Sequence, residues 1–168
     1  MTVWDADAVI SAEFEISHDV RDVQVPQLMD LLASAWWAAG RTEDEIRRIL
    51  TGSDVVVAVI DRSSGRLVGF ARVLTDRTYL AVILDVIVAP DVRGSGVGAM
   101  LMDAILGHPW VAGVTSIELV CRPDLMSFYR RWGFTDEVGG SRLMRRTADP
   151  ALIASGVDHR VQKSPGEA

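Results

Sequence analysis

The sequence is poor in lysine and cysteine, and it has no long apolar run. Lys163 is the only lysine among seventeen basic residues, which we interpret as a bias of composition. A single cysteine, Cys121, excludes an internal disulfide and a cysteine-rich zinc site, and the three histidines lack metal-ligand spacing. No stretch approaches the roughly twenty apolar residues that span a bilayer. We therefore expect neither a metal centre nor a membrane-spanning segment.

Chain length and net charge indicate the number of domains and the kinds of partner. A chain of 168 residues suits one domain with a sizeable core. Its net charge of −6 argues against nucleic acid and anionic membranes as partners, and favours a cationic partner such as an amine. The first twelve residues contain Asp5 and Asp7 but no basic region, so they do not resemble a secretory signal. These features predict a cytoplasmic protein.

The most informative stretch runs from Val88 to Ile105. A β-rich run breaks at Pro90 and passes through three closely spaced glycines into a segment with helical apolar spacing. Glycines allow the backbone to turn tightly and to approach a ligand, while the first N–H groups of a helix carry partial positive charge. The pattern predicts a phosphate-binding turn at the start of a helix.

Three other interpretations of this turn are weaker. Residues 94–99 fit a loose dinucleotide pattern, but Glu118 lies within an apolar run, and too little chain follows for a six-strand domain. No Gly-Lys-Ser/Thr follows, which argues against a P-loop. A turn without a ligand would not need the cation that Arg93 places directly before the glycines.

Two motifs resemble those of the GCN5-related N-acetyltransferases (GNAT). The first is the R/Q-x-x-G-x-G/A signature, matched by Arg93, Gly94, Ser95, Gly96, Val97 and Gly98. The second is F/L-Y-x-K/R-x-G-F, matched by Phe128 to Phe134 (FYRRWGF), in the family's order. In that family the first motif holds the pyrophosphate of acetyl-CoA. The resemblance therefore implies acetyl-CoA as co-substrate and no metal.

The order of predicted elements agrees with this resemblance. Periodicity and turn residues predict β-α-α-β-β-β-α-β-α-β, with a late strand at Arg142 to Arg145. The implied GNAT fold is α/β (α+β), a mixed central sheet of six to seven strands flanked by about four helices. We expect a flexible lead-in at 1–12, an acetyltransferase domain at 13–146 and a partly disordered tail at 147–168.

A narrower resemblance connects the chain to small bacterial GNAT proteins without one defined acceptor. The shared segments are WAAGR at Trp37 to Arg41, VGFARVLTD at Val68 to Asp76, DVIV at Asp85 to Val88, and His108-Pro109. Where many GNAT proteins have an Asn seven residues before the tyrosine, this chain has Arg122, which could instead reach a phosphate of CoA. A homodimer is compatible with the resemblance.

The resemblance also implies the roles of further residues. Pantetheine would bind backbone groups of Val86, Ile87 and Val88, where the fourth and fifth strands separate, and an N–H near Val88 would bind the thioester oxygen. Tyr129 would protonate the departing thiolate. In alternative readings Tyr129 only packs, or Cys121 serves as a covalent nucleophile.

The general base remains open between several groups. Asp85 interrupts an apolar strand, where an unpaired carboxylate would be costly to bury. It is therefore either catalytic or part of an ion pair. Glu118 is similarly placed in the fifth strand, whereas Asp76 suits a turn.

The sequence thus predicts an acyl-CoA-dependent N-acyltransferase. It would move acetyl to a primary amine of a small molecule or peptide by direct attack in a ternary complex. The alternative is a non-catalytic acyl-CoA sensor or interaction module on the same fold. Acetylation of a protein partner also remains open.

Overall fold

A computed structural model describes residues 12–150 and 153. Contacts divide the chain into two compact units, Met1–Thr135 and Asp136–Ala168. The first contains every strand of the described residues. Residues 1–11 of the predicted lead-in and most of the predicted tail lie outside the described residues, so the domain limits 1–12, 13–146 and 147–168 remain predictions.

One five-stranded mixed sheet forms the centre of the first unit. Its strands follow chain order, β1 to β4 are antiparallel neighbours, and β4 pairs with β5 in parallel. Apolar β-branched runs produce β2 and β3, which are buried along most of their length. The strands are β1 (Phe14–Ser17), β2 (Val55–Asp61), β3 (Leu67–Thr75), β4 (Leu80–Val88) and β5 (Ser116–Leu119).

Four helices have both ends within the described residues. They are α1 (Val25–Ala33), α2 (Glu43–Gly52), α3 (Val97–Leu106) and α4 (Met126–Arg130). Helix α2 begins with a capping box, in which Thr42 N–H donates to Glu45 Oε2 at 2.8 Å and Glu45 N–H donates to Thr42 Oγ1 at 3.3 Å. Short 3₁₀ turns precede α1, the glycine turn and α4.

Helix α3 lies close against the sheet because β3 has a glycine beneath it. A Cβ atom on Gly69 would lie 2.8 Å from Val97 Cγ1 and 3.3 Å from Leu101 Cδ1. The helical spacing predicted from the sequence is confirmed, since Val97, Leu101 and Ile105 are all buried. The start of α3 is thus fixed against the middle of the sheet.

Strands β4 and β5 pair over only half of β4. The register runs from Leu80 opposite Ser116 to Ile83 opposite Leu119, and then stops. On its other edge β4 contains a bulge, because β3 pairs Phe70 with Ile87 and Arg72 with Leu84. The single residue Ala71 therefore faces two residues of β4, Asp85 and Val86.

The predicted element order is confirmed through the fourth helix, but the strand count was too high. No strand forms at Arg142 to Arg145 in the part of the chain that the structure describes, and the sheet there has five strands rather than six to seven. Leu143 and Met144 are adjacent, so in a strand they would point to opposite faces and build no apolar face. They are 72% and 92% exposed.

Candidate active site

The glycine turn adopts conformations that other residues rarely reach. Gly94 has φ 82° and Gly96 has φ 93°, both in the left-handed region. Gly96 is the N-cap of α3, whose own hydrogen bonds begin with Met100 N–H donating to Gly96 O at 3.0 Å. The N–H groups of the first turn, from Val97 to Ala99, therefore point out of the helix end. This end is suited to an anion.

Arg93 stands at the entrance to the turn. Its Nε donates to the carbonyl oxygen of Val88 at 3.3 Å, and the residue is exposed. That hydrogen bond uses Nε rather than the terminal nitrogens of the guanidinium, and Arg93 directly precedes Gly94 in the chain. A cation thus lies next to the helix N-terminus.

A cavity of about 530 Å³ joins the turn to strand β4 and helix α4. It brings both sequence motifs together at one surface, although they are some thirty residues apart. Its lining residues are Val86, Val88, Arg93, Gly94, Gly96, Gly98, Ala99, Leu125, Phe128, Tyr129 and Arg131. Because Val86 and Val88 lie beyond the last β4–β5 pair, the cavity reaches the opening between these strands.

Tyr129 lies in this cavity with its ring nearly enclosed. It packs edge-to-face on Phe128 with 4.9 Å between ring centroids, and on Phe134 with 6.2 Å. Burial, with a smaller contribution from Cys121, raises the pKa of Tyr129 to about 12. The phenol therefore keeps its proton at neutral pH, which is the form that can donate to a leaving group.

Asp85 does not line the cavity, and its carboxylate is held by two arginines. Arg41 donates from both terminal nitrogens, to Oδ2 at 2.9 Å and to Oδ1 at 3.1 Å, and Arg72 Nε donates to Oδ2 at 2.6 Å. Burial would raise the pKa of the Asp85 carboxyl, but hydrogen bonds and charges from the two arginines outweigh it and lower that pKa. Of the two alternatives left by the sequence, the geometry matches the ion pair.

The side chains of several residues predicted for the site do not line the cavity. Arg122 is exposed and paired with Asp124, to which Nε donates at 2.9 Å and a terminal nitrogen at 2.8 Å. The hydroxyl of Ser95 donates to Val92 O at 2.6 Å within the turn. The side chains of Val97 and Ile87 belong to the core, so only their backbone could serve a ligand.

The remaining candidate residues are not cavity residues. Glu118 is exposed on β5, opposite Val82 of β4. Burial, with the charge of Asp124, raises the pKa of the Cys121 thiol, which disfavours a thiolate nucleophile. Asp76 accepts three backbone N–H bonds in the turn between β3 and β4, as its turn interpretation predicts.

Arg131 is a charged residue of the cavity lining that was not predicted as a site residue from the sequence. Its guanidinium carbon lies 4.6 Å from the ring centroid of Phe128 and 4.7 Å from that of Trp132, and its Nε donates to Phe128 O at 3.2 Å. A second cation therefore lines the cavity with Arg93. The signal was present, because Arg131 occupies the K/R position of the second motif.

Comparison with known proteins identifies the family. The family model described as "Acetyltransferase (GNAT) domain" matches residues 51–136. "Uncharacterized N-acetyltransferase ycf52" of Porphyra purpurea is 32% identical over 128 residues, which cover 75% of this chain and 73% of the relative. "Serotonin N-acetyltransferase 2, chloroplastic" of Oryza sativa subsp. japonica is 38% identical over 96 residues, covering 56% and 48% of the two chains.

A solved structure agrees with these relatives. A GNAT-family protein from Xanthomonas campestris pv. campestris superposes with a TM-score of 0.72 and 30% identity, over 83% of this chain and 95% of that one. The chain belongs to the GNAT family and is an N-acetyltransferase. Within residues 12–150 and 153, no helix is long and apolar enough to cross a membrane.

Proposed function

We propose that the protein transfers an acetyl group from acetyl-CoA to a primary amine of a small molecule or peptide, by direct attack in a ternary complex. The observation that carries this proposal is the single cavity that connects a glycine turn and two arginines with Tyr129 and the open edge of β4. Cations and N–H donors at one end suit a phosphate, and a buried phenol at the other suits acid catalysis.

The residues present fit CoA by the chemistry of their donors. Arg93, Arg131 and the N–H groups of Val97 and Gly98 would hold the pyrophosphate. Gly94 leaves open space, since nothing lies within 4 Å of where its Cβ would be. Val86 and Val88 would offer backbone groups to the pantetheine arm, as cross-strand partners do in a sheet.

Acetyl-CoA supplies the acyl group as a thioester when it is bound. The amine forms a new C–N bond as the C–S bond breaks, and the leaving sulfur takes a proton. Tyr129 is proposed to give that proton, and a backbone N–H of residues 86–88 to bind the carbonyl oxygen. Such pre-aimed donors typically contribute about 3–4 kcal/mol in the transition state.

A separate group must take a proton from the amine. Asp85 is a poor acceptor, because both its oxygens already accept from guanidinium groups and its pKa is lowered. Glu118 is exposed and could act through water. The substitution Glu118→Gln would test this role, because it removes the carboxylate that would accept the proton.

The test is an amine screen with acetyl-CoA in which free thiol is followed and products are confirmed by mass. Serotonin belongs in the panel because the rice relative is named for it. Acetylated amine, formed by the wild type and reduced in Tyr129→Phe, is the expected result. Acetyl-CoA binding without thiol release for any amine would support the non-catalytic alternative and contradict the proposal.

A further inference from the structure

The backbone of β4 is in an unusual conformation where the bulge forms. Asp85 has φ 55°, and among the described residues only Arg77, at φ 62°, is another non-glycine residue with positive φ. The left-handed conformation is disfavoured for an ordinary L-residue, although aspartate tolerates it better than most. Surrounding contacts are therefore needed to hold it.

Those contacts come from two different elements. Arg72 lies on β3 opposite the bulge, and its Nη1 is also 3.5 Å from Ser53 Oγ. Arg41 lies between α1 and α2, 44 residues from Asp85 in the chain, and packs near the Trp37 ring at 5.7 Å. The Asp85 side chain is only 5% exposed, whereas those of Arg41 and Arg72 are 26% and 13% exposed. The carboxylate thus ties the bulge to the neighbouring strand and to the loop after α1.

The bulge lies directly before the part of β4 that lines the cavity. Pairing with β5 ends at Ile83, whereas pairing with β3 resumes at Ile87 and Val88, so the registers leave Asp85 and Val86 without a partner on either strand. A bulge re-aims the residues that follow it. The conformation of Asp85 therefore determines how β4 resumes its pairing with β3, and so which of the following N–H groups face the cavity side of the strand.

We propose that Asp85 is a positioning residue for acyl transfer, whose ion pairs with Arg41 and Arg72 hold the β4 bulge and so aim the N–H groups of Val86 and Val88 toward the cavity. This inference rests on the proposed function. It differs from the base role in a testable way. A base acts through its carboxylate, whereas a positioning residue acts through backbone conformation.

Three substitutions of Asp85 separate these roles. Glycine and asparagine accept positive φ readily, but alanine does not, and all three lack the carboxylate. We expect Asp85→Ala to have a kcat at least about fivefold below that of Asp85→Gly, the factor that corresponds to the left-handed penalty. Affinity for acetyl-CoA should fall less than kcat, because the pyrophosphate contacts at the glycine turn remain where the pantetheine contacts of Val86 and Val88 are disturbed. Arg77→Ala is the matched control. Arg77 also has a positive φ and an ion pair, with Asp54, but it does not line the cavity.

Amide NMR spectra without cofactor provide a readout independent of activity. The shifts of the Val86, Ile87 and Val88 amides should move in Asp85→Ala and stay close to wild type in Asp85→Gly. Kinetics are measured well below the melting temperature of every variant. Arg41→Gln should also lower kcat, because it removes one of the two ion pairs that hold the bulge.

Three results would overturn the positioning role. Equal inactivity of the Gly, Ala and Asn variants would assign the carboxylate itself to catalysis. Wild-type kcat in all three with a lower melting temperature would leave only a stabilising ion pair. Unchanged Val86–Val88 amide shifts in Asp85→Ala would refute the structural claim directly. If the wild type transfers no acetyl group, the proposed function fails, and these shifts still decide the positioning role.

Discussion

Gly98 of helix α3 lies against Phe128 of helix α4. A Cβ atom on Gly98 would be 3.2 Å from Phe128 Cζ and 3.3 Å from its Cε2. Each residue belongs to a different sequence motif, and the contact joins the motifs into one wall of the cavity. Phe128 in turn packs on Tyr129, so the start of α3 is connected to the phenol by direct contacts.

Enlarging Gly98 should therefore disturb the cavity. A β-branched side chain in Gly98→Val must displace Phe128, which also carries the stacked Arg131. We expect weaker acetyl-CoA binding, by at least about tenfold, which corresponds to roughly 1.4 kcal/mol. Gly113→Val is the control, since nothing lies within 4 Å of a Cβ at Gly113. Calorimetric titration compares the two, and equal affinities would contradict the role of this contact.

Arg131 and Arg122 should differ in their contribution to acetyl-CoA binding. Arg131 lines the cavity, whereas Arg122 is paired with Asp124 outside it. We expect Arg131→Gln to weaken acetyl-CoA binding by about tenfold, near the lower limit for a charged hydrogen bond. Its affinity should also depend less on salt. Arg122→Gln should bind like wild type, and the reverse ranking would restore the assignment made from the sequence.

Removing the Tyr129 hydroxyl should slow turnover and leave binding almost unchanged. Tyr129→Phe keeps the ring that packs on Phe128 and Phe134, so folding should be normal. Loss of the proton donor should lower kcat tenfold or more, about 1.4 kcal/mol in the barrier. Steady-state kinetics with a confirmed acceptor measure this effect. Wild-type kcat in the variant would assign Tyr129 to packing alone.

Tyr129 should also shape stability at alkaline pH. The pKa of this phenol is about 12 in the folded chain against an ordinary 10.0, so the folded state holds the proton more tightly between these values. Its contribution to stability is therefore complete below the unfolded pKa and is lost as pH rises toward the folded one. Urea unfolding across this window should show the free energy of unfolding falling faster in wild type than in Tyr129→Phe. Parallel pH profiles would argue against a buried phenol.

Local patterns allowed the sequence to predict most elements. The helical spacing from Val97 and the tight glycine turn before it are determined by neighbouring residues, and the structure confirms them. Other features depend on partners far apart in the chain. Arg41 meets Asp85 across 44 residues, and no spacing rule connects them.

Contacts of side chains also explain what the sequence did not predict. Arg122 was proposed to reach a phosphate because it stands seven residues before the tyrosine, but in the structure it pairs with the nearby Asp124, and its role in binding stays a prediction. Arg131 is instead turned toward the cavity by stacking on Phe128 and Trp132. The late strand predicted at Arg142 to Arg145 contains only a short apolar pair, whereas a strand needs a partner and one apolar face.

Calorimetric titration of acetyl-CoA into the wild type, Arg93→Ala and Gly96→Glu tests the central claim most directly. Arg93 supplies a cation beside the turn, and any side chain at Gly96 must adopt its φ of 93° next to the proposed phosphates. We expect binding of one equivalent to the wild type, weaker binding to Arg93→Ala, and the weakest binding to Gly96→Glu, with all three chains folded by circular dichroism. Unchanged affinity in both variants would contradict the assignment of this turn to acetyl-CoA.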